Sequence, residues 1–168
     1  MTVDYRFAAD TIGLPPSSTV SDTTQQQQLG LIEIAKDIST NAYGIAELMY
    51  VKFTGTIAAG DFVIYDLYNK TCIASPTSAA SALGFGVGIS LAAQSSGKYG
   101  WILISGVHDA ANIADAVTAG QLLSGSGTAG RAGTATANYA FDIATAKTDA
   151  SAGNVGACIL QRPFCNGR

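Results

Sequence analysis

Apolar residues along this chain fall into short runs with a period of two, and glycine-rich breaks separate the runs. In Ala46–Thr54 (AELMYVKFT), Leu48, Tyr50 and Lys52 share one face and Met49, Val51 and Phe53 the other. That alternation predicts a strand with a buried side. Leu31–Ile38 is apolar, with Glu33 and Lys36 interrupting it. Asp61–Tyr68 reads as the next strand, Asn69-Lys70 as a turn and Thr71–Ser75 as a short strand. Tyr99–Ser105 (YGWILIS) carries the strongest strand pattern in the chain, and Gly120–Ser124, Tyr139–Ala144 and Asn154–Gln161 add further strands. Ser124–Gly133 reads as a hairpin tip. Ala110–Ala119 is alanine-rich and is expected to form one short helix, with Asp109 as its N-cap. Strands at roughly ten-residue spacing with Gly-rich turns, and no βαβ alternation, predict an all-β domain with one minor helix. The architecture expected is a compact β-sandwich or small β-barrel with an extended N-terminal arm.

Two stretches echo each other. Val51–Tyr65 (VKFTGTIAAGDFVIY) and Leu103–Leu123 (LISGVHDAANIADAVTAGQLL) each run from a strand through an insertion to Ala-Gly-Asp or Ala-Gly-Gln and a second strand. Gly60 and Gly120 are expected in equivalent turns that need a positive φ. Reuse of one turn chemistry accounts for the echo without a duplication.

Residues 1–28 differ from the remainder, 29–168. They hold Pro15-Pro16, a Ser/Thr-rich stretch and Gln25–Gln28, with no periodic apolar pattern. Pro15-Pro16 favours extended backbone. Val3, Tyr5, Phe7, Ile12 and Leu14 give such an arm apolar groups to bury on a partner. Tyr5 and Phe7 alternate with Asp4 and Arg6, a pattern suited to a strand added to a sheet edge. A second candidate contact is the uncharged segment from Pro76 to Gly97. Its Gly84, Gly86 and Gly88 alternate with Phe85, Val87 and Ile89, and Leu91 follows. Glycine on one face implies close coverage by other backbone, and Phe85, Val87, Ile89 and Leu91 are the expected subunit interface.

Composition narrows the function. Of 168 residues, 48% are hydrophobic and 12% charged, against about 25% charged in a typical soluble domain. A surface so short of charge is expected to meet other protein over much of its area. The net charge of −3 and the absence of a Lys/Arg cluster argue against nucleic acid, which requires a basic face. No signal-peptide pattern and no run near the roughly 18 apolar residues of a membrane span are present. The expected site of synthesis is a cytoplasm, with no membrane partner.

Candidate chemistry is sparse. Cys72, Cys158 and Cys165 lack CxxC spacing, and His108 is the sole histidine, so no zinc site is expected. The cysteines read as buried free thiols. His108 precedes Asp109 directly, and strand neighbours face opposite sides, so Asp109 is badly placed to orient the imidazole. His108 is expected on the surface or in a turn. Asp109 and Asp115 as an acid–base pair, and Gly84–Gly88 as a phosphate loop, both fall short of the required context. Trp101 and the tyrosines would stack sugars only if several were exposed together. No catalytic residue, metal or cofactor is expected.

Four phrases have counterparts in a known family: QLGLIEIAKD (Gln28–Asp37), TGTIAAGDFV (Thr54–Val63), KYGWILISG (Lys98–Gly106) and TAGQLLSGSGTAGR (Thr118–Arg131). In these the chain resembles the capsid decoration, or cement, proteins of tailed bacteriophages over most of residues 28–160. The resemblance implies a β-rich homotrimer on the outer surface of the virion. It would bridge capsomers of the major capsid protein and stabilise the expanded shell. A head-surface fibre or adhesin that binds carbohydrate is the alternative.

Overall fold

A computed structural model of the chain describes residues 5–7, 21–37, 43–74, 86–134 and 142–162. The ordered elements are β1 (Tyr5–Phe7), β2 (Ile32–Asp37), β3 (Ile45–Phe53), β4 (Phe62–Tyr65), β5 (Thr71–Ala74), β6 (Gly86–Ser90), β7 (Tyr99–Asn112), β8 (Leu122–Gly125), β9 (Ala132–Thr134), β10 (Asp142–Ala146) and β11 (Val155–Gln161). The all-β expectation holds, and the described residues contain no helix. The expected helix at 110–119 is instead the end of β7 and the loop after it. Ala111 pairs with Gly156 and Asn112 with Val155, so β11 supplies the hydrogen bonds that a helix would have made internally. Alanine's helix propensity is worth well under 1 kcal/mol per residue and yields to that pairing. Asp109 accordingly lies within a strand and caps nothing.

Strand pairing closes on itself. β3 pairs with β5 in parallel, and β5–β4, β4–β6, β6–β7 and β7–β3 are antiparallel. These five strands form a ring with no free edge. A second ring shares β7: β7 pairs with β11, β11 with β10, β10 with β8 and β8 with β9. A parallel bridge from Ile113 to Ala132 returns the second ring to the end of β7.

The two rings repeat the same plan in register. Val63↔Ala74, Ile64↔Ile73 and Tyr65↔Cys72 in the first become Leu123↔Thr134, Ser124↔Gly133 and Gly125↔Ala132 in the second, each sixty positions later. Phe53↔Cys72, in parallel, becomes Ile113↔Ala132. Ile89↔Leu103 and Ser90↔Ile102 become Thr145↔Ile159 and Ala146↔Cys158. Two loop bridges correspond as well, Ile57↔Gln94 and Val117↔Ala150. The echo between Val51–Tyr65 and Leu103–Leu123 is thus the visible part of a structural duplication.

One turn recurs throughout. Gly30, Gly60, Gly97, Gly120, Gly130 and Gly153 all have φ between 75° and 85°. In each case the residue after the glycine donates its N–H to the carbonyl three positions back, as Asp61 does to Ala58 and Gln121 to Thr118. The positive φ at the third turn position is what glycine supplies. Side chains complete the turns in matching ways: Ala58 N–H donates to Asp61 Oδ2 at 2.8 Å, and Thr118 N–H to Gln121 Oε1 at 3.1 Å.

Burial follows the alternation read from the sequence. Leu48, Tyr50, Phe62, Ile64, Val87, Ile89, Trp101 and Leu103 belong to the larger core, which continues into the second ring through Ile113, Leu123, Ile143, Cys158 and Leu160. The opposite faces of the same strands build a second core from Met49, Val51, Phe53, Val63, Tyr65, Cys72, Ile102 and Ile104. Glycines on this side leave room for it. A Cβ on Gly86 would lie 2.2 Å from the Tyr65 ring, and one on Gly88 would lie 2.8 Å from the Leu103 carbonyl oxygen.

Candidate functional site

The strand that departs from its own pattern is β2. Ile32 and Ile34 are 41% and 54% exposed, whereas Ala35 and Asp37 after them are fully buried. A strand sends alternate side chains to opposite faces, and the register Ile34↔Glu47, Ala35↔Ala46 and Lys36↔Ile45 decides which set goes inward. Here the inward set is the small and acidic one. Asp37 is accommodated because its Oδ2 accepts the Tyr43 N–H at 3.3 Å. Ile45, 67% exposed, joins Ile32 and Ile34 on the outward face, since paired residues share a face.

This isoleucine strip has a charged border. Glu47, opposite Ile34, receives a two-pronged interaction from Arg162, with Nε to Oε2 at 2.6 Å and Nη2 to Oε1 at 2.7 Å. The Arg162 hydrogen bond holds the Glu47 carboxyl below its ordinary range. Arg162 has φ +48, rare for a side chain other than glycine, and its N–H donates to the Ile104 carbonyl at 2.9 Å. The chain end of β11 is therefore fixed at three points beside the strip.

The arm candidates divide. Tyr5 and Phe7 lie in β1, which pairs antiparallel with β2 through Tyr5↔Asp37, Arg6↔Lys36 and Phe7↔Ala35. The sheet edge that β1 joins belongs to its own chain. Val3, Ile12 and Leu14 lie outside the described residues. Farther along, Asp22 is bonded to the Tyr99 backbone in both directions, and its Oδ2 accepts the Tyr50 hydroxyl at 3.0 Å. Tyr50 in turn meets Trp101 edge-on at 5.1 Å between centroids.

Of the expected interface residues, Val87, Ile89 and Leu91 are buried within the core of the single chain. Their apolar surface is accounted for without a neighbour. Phe85 lies outside the described residues.

The residues weighed for catalysis are not brought together. His108 is buried in β7, not at the surface, opposite Cys158. Ala110 N–H donates to its Nδ1 at 3.2 Å, which leaves the proton on Nε2. Burial pulls its pKa down to about 4, so the ring is neutral at pH 7. Its placement follows from β7 continuing past Gly106 where a turn was expected. Asp115 is engaged with β9, accepting from the Thr134 N–H at 3.0 Å and hydroxyl at 3.3 Å. Cys72 and Cys158 are buried free thiols whose pKa values burial pushes up. Among the described residues, no group of three or more His, Cys, Asp or Glu is placed to hold a metal ion. Trp101 and Tyr50 are fully buried and Tyr65 nearly so, while Tyr68 is 91% exposed.

No family model matches the chain, and no curated protein matches it. Among solved structures the chain is similar to the N base of the head fiber gp8.5 of bacteriophage phi29. The likeness has 10% sequence identity and a TM-score of 0.48, and it covers 70% of this chain and 95% of that one.

Proposed function

We propose that this protein is a structural, non-enzymatic component of a tailed-bacteriophage head. In this reading it binds the outer surface of the assembled capsid as a homotrimer and bridges capsomers of the major capsid protein. The observation that carries the reading is the inverted burial of β2, which exposes Ile32 and Ile34 while burying Ala35 and Asp37. An apolar strip held outward by a fixed register is a contact surface for other protein. The four phrases that resemble decoration proteins support it. Each contains a glycine with positive φ: in a turn beside a strand at Gly30 with β2, Gly60 with β4 and Gly120 with β8, and inside strand β7 at Gly106.

The mechanism is mass action. A protein that binds the assembled shell and not its dispersed subunits stabilises the shell by RT ln(1 + [L]/Kd) per site. Repetition over the lattice multiplies weak contacts. The net charge of −3 keeps such a protein off packaged DNA. Adding the purified protein to expanded heads that lack it should raise the temperature at which the heads rupture, saturating with dose. An unchanged rupture temperature at saturating protein contradicts the proposal. The carbohydrate reading draws less support, because a stacking groove needs several exposed aromatic rings and Trp101, Tyr50 and Tyr65 are in the cores.

A further inference from the structure

We infer that copies of this chain meet head to tail, the hairpin tip at Leu67 and Tyr68 of one seated on the Gly120 turn and Leu122 of the next. The inference rests on the homotrimer of the reading above and not on its capsid contact. Its pattern lies inside the single chain, where the second ring's hairpin tip sits on the first ring's turn. Phe62 N–H donates to the Gly130 carbonyl at 2.8 Å, and Asn112 N–H to the Gly60 carbonyl at 2.9 Å. Asn112 Nδ2 donates to Asp61 Oδ1 at 2.8 Å. Phe62 is fully buried, and a Cβ on Gly60 would strike the Ala110 carbonyl oxygen. Sixty positions later the same turn is bare. Leu122 stands where Phe62 does and is 50% exposed. A Cβ on Gly120 meets nothing within 4 Å, and Thr118 and Ala119 beside it are exposed. The second ring thus ends in an open turn with an apolar side chain at its edge.

The first ring's hairpin tip carries apolar groups that the hairpin does not need. Tyr68 N–H donates to Asp66 Oδ1 at 2.7 Å, and Thr128 N–H makes the matching bond to Ser126 Oγ at 3.1 Å. Lys70 and Gly130 close the two turns with φ 55° and 75°. The second ring therefore builds the same hairpin with Gly127 and Thr128 where the first has Leu67 and Tyr68. Yet Leu67 is 43% and Tyr68 91% exposed. Asn69 adds two bonds to Asp66, at 3.2 and 2.8 Å, so the tip is ordered before it binds and loses little freedom on contact. A tyrosine so presented is the residue type that anchors protein interfaces. The flank at Lys70 is taken by the chain's own Gly30, where a Cβ would meet the Lys70 side chain. Contact with the next copy accordingly falls on positions 67 and 68 instead of position 70. Tip and turn belong to different rings, so the contact is heterologous, and a rotation that closes gives a cyclic oligomer.

The double variant Leu67→Gly, Tyr68→Thr tests this in the full chain, since the second ring folds with those residues at the matching positions. Light scattering should show self-association about tenfold weaker or more, the loss expected of an interface anchor, with an unchanged circular dichroism spectrum. Position is read by crosslinking. Tyr68→Cys and Leu122→Cys are made separately in chains that also carry Cys165→Ser, because Cys72 and Cys158 are buried. Mixed and mildly oxidised, they should form a disulfide between the two different chains, which requires Cα atoms within about 7 Å. Disulfides only between identical chains, or none, would overturn the inference. An oligomer that the double variant leaves intact would overturn it while sparing the homotrimer. A wild-type chain that is monomeric at high concentration would overturn both, and binding to phage heads, measured separately, would still decide the capsid contact.

Discussion

At the residue scale, close packing makes single atoms matter. A Cβ at Gly88 would press on the Leu103 carbonyl oxygen, and backbone has no rotamer with which to retreat. Gly88→Ala should therefore cost about 1–3 kcal/mol, the usual range for overpacking, read as a lower denaturant midpoint. His108 gives the fold a dependence on acid. Its folded pKa, about 4, lies below the ordinary value of 6.5 because burial disfavours the charged ring. The unfolded chain thus takes up the proton first as pH falls. The stability that neutral His108 contributes is complete above pH 6.5 and drains away between there and about pH 4. His108→Gln should flatten that part of the stability–pH curve. Curves of equal slope for the two proteins would contradict this account.

At the scale of elements, the turns make the sharpest comparison. Gly60 and Gly120 occupy corresponding turns with φ 81° and 85°, yet their surroundings differ. A Cβ at Gly120 meets nothing within 4 Å, while one at Gly60 would lie 2.3 Å from the Ala110 carbonyl oxygen. Gly120→Ala should cost only the conformational penalty, about 1–2 kcal/mol, and Gly60→Ala clearly more. Equal losses in thermal or chemical unfolding would remove the distinction. The segment around Asp22 rests on the Tyr50 hydroxyl, which donates to Asp22 and accepts from the Gln26 N–H at 3.2 Å. Tyr50→Phe should cost about 0.5–1.5 kcal/mol and speed amide exchange at Asp22 and Tyr99.

Much at this scale was legible beforehand. The parity of Leu48 and Tyr50 against Met49 and Val51 predicted two faces, and both are buried. Gly60 and Gly120 were readable as equivalent because Ala-Gly and a polar residue precede a strand in both. The Gly97 and Gly153 turns carry a related pattern, Ser95-Ser96-Gly97-Lys98 and Ser151-Ala152-Gly153-Asn154, and were missed. The offset between the halves shifts from sixty to fifty-six positions before them, which hides the repeat from a fixed period. The helix at 110–119 was misread because alanine reports local preference, whereas the partner that overrides it, β11, lies more than forty residues away. The outward isoleucines of β2 were invisible for a similar reason. Which face of a strand is buried depends on its register, and the alternation in Leu31–Ile38 by itself favours burying Ile32, Ile34 and Ile38 over Glu33, Ala35 and Asp37.

At the scale of the whole molecule, two rings built on one plan share a central strand. Among the described residues, the strand edges are closed apart from that of β1, since β9 at the other end of the sheet order is bridged back to Ile113. Such a body offers faces, not edges, to a partner. The outward face of β2 and β3 places exposed Ile32, Ile34 and Ile45 beside the Glu47–Arg162 pair. With 12% charged residues, the remaining surface has few groups to keep neighbours apart, which suits a protein that functions inside an assembly. The most direct test of that claim is cosedimentation of the purified protein with expanded phage heads that lack it. Saturable binding at a fixed number of copies per head, weakened by Ile34→Asp on the exposed strip, is the predicted result. No binding at any protein concentration would contradict the account.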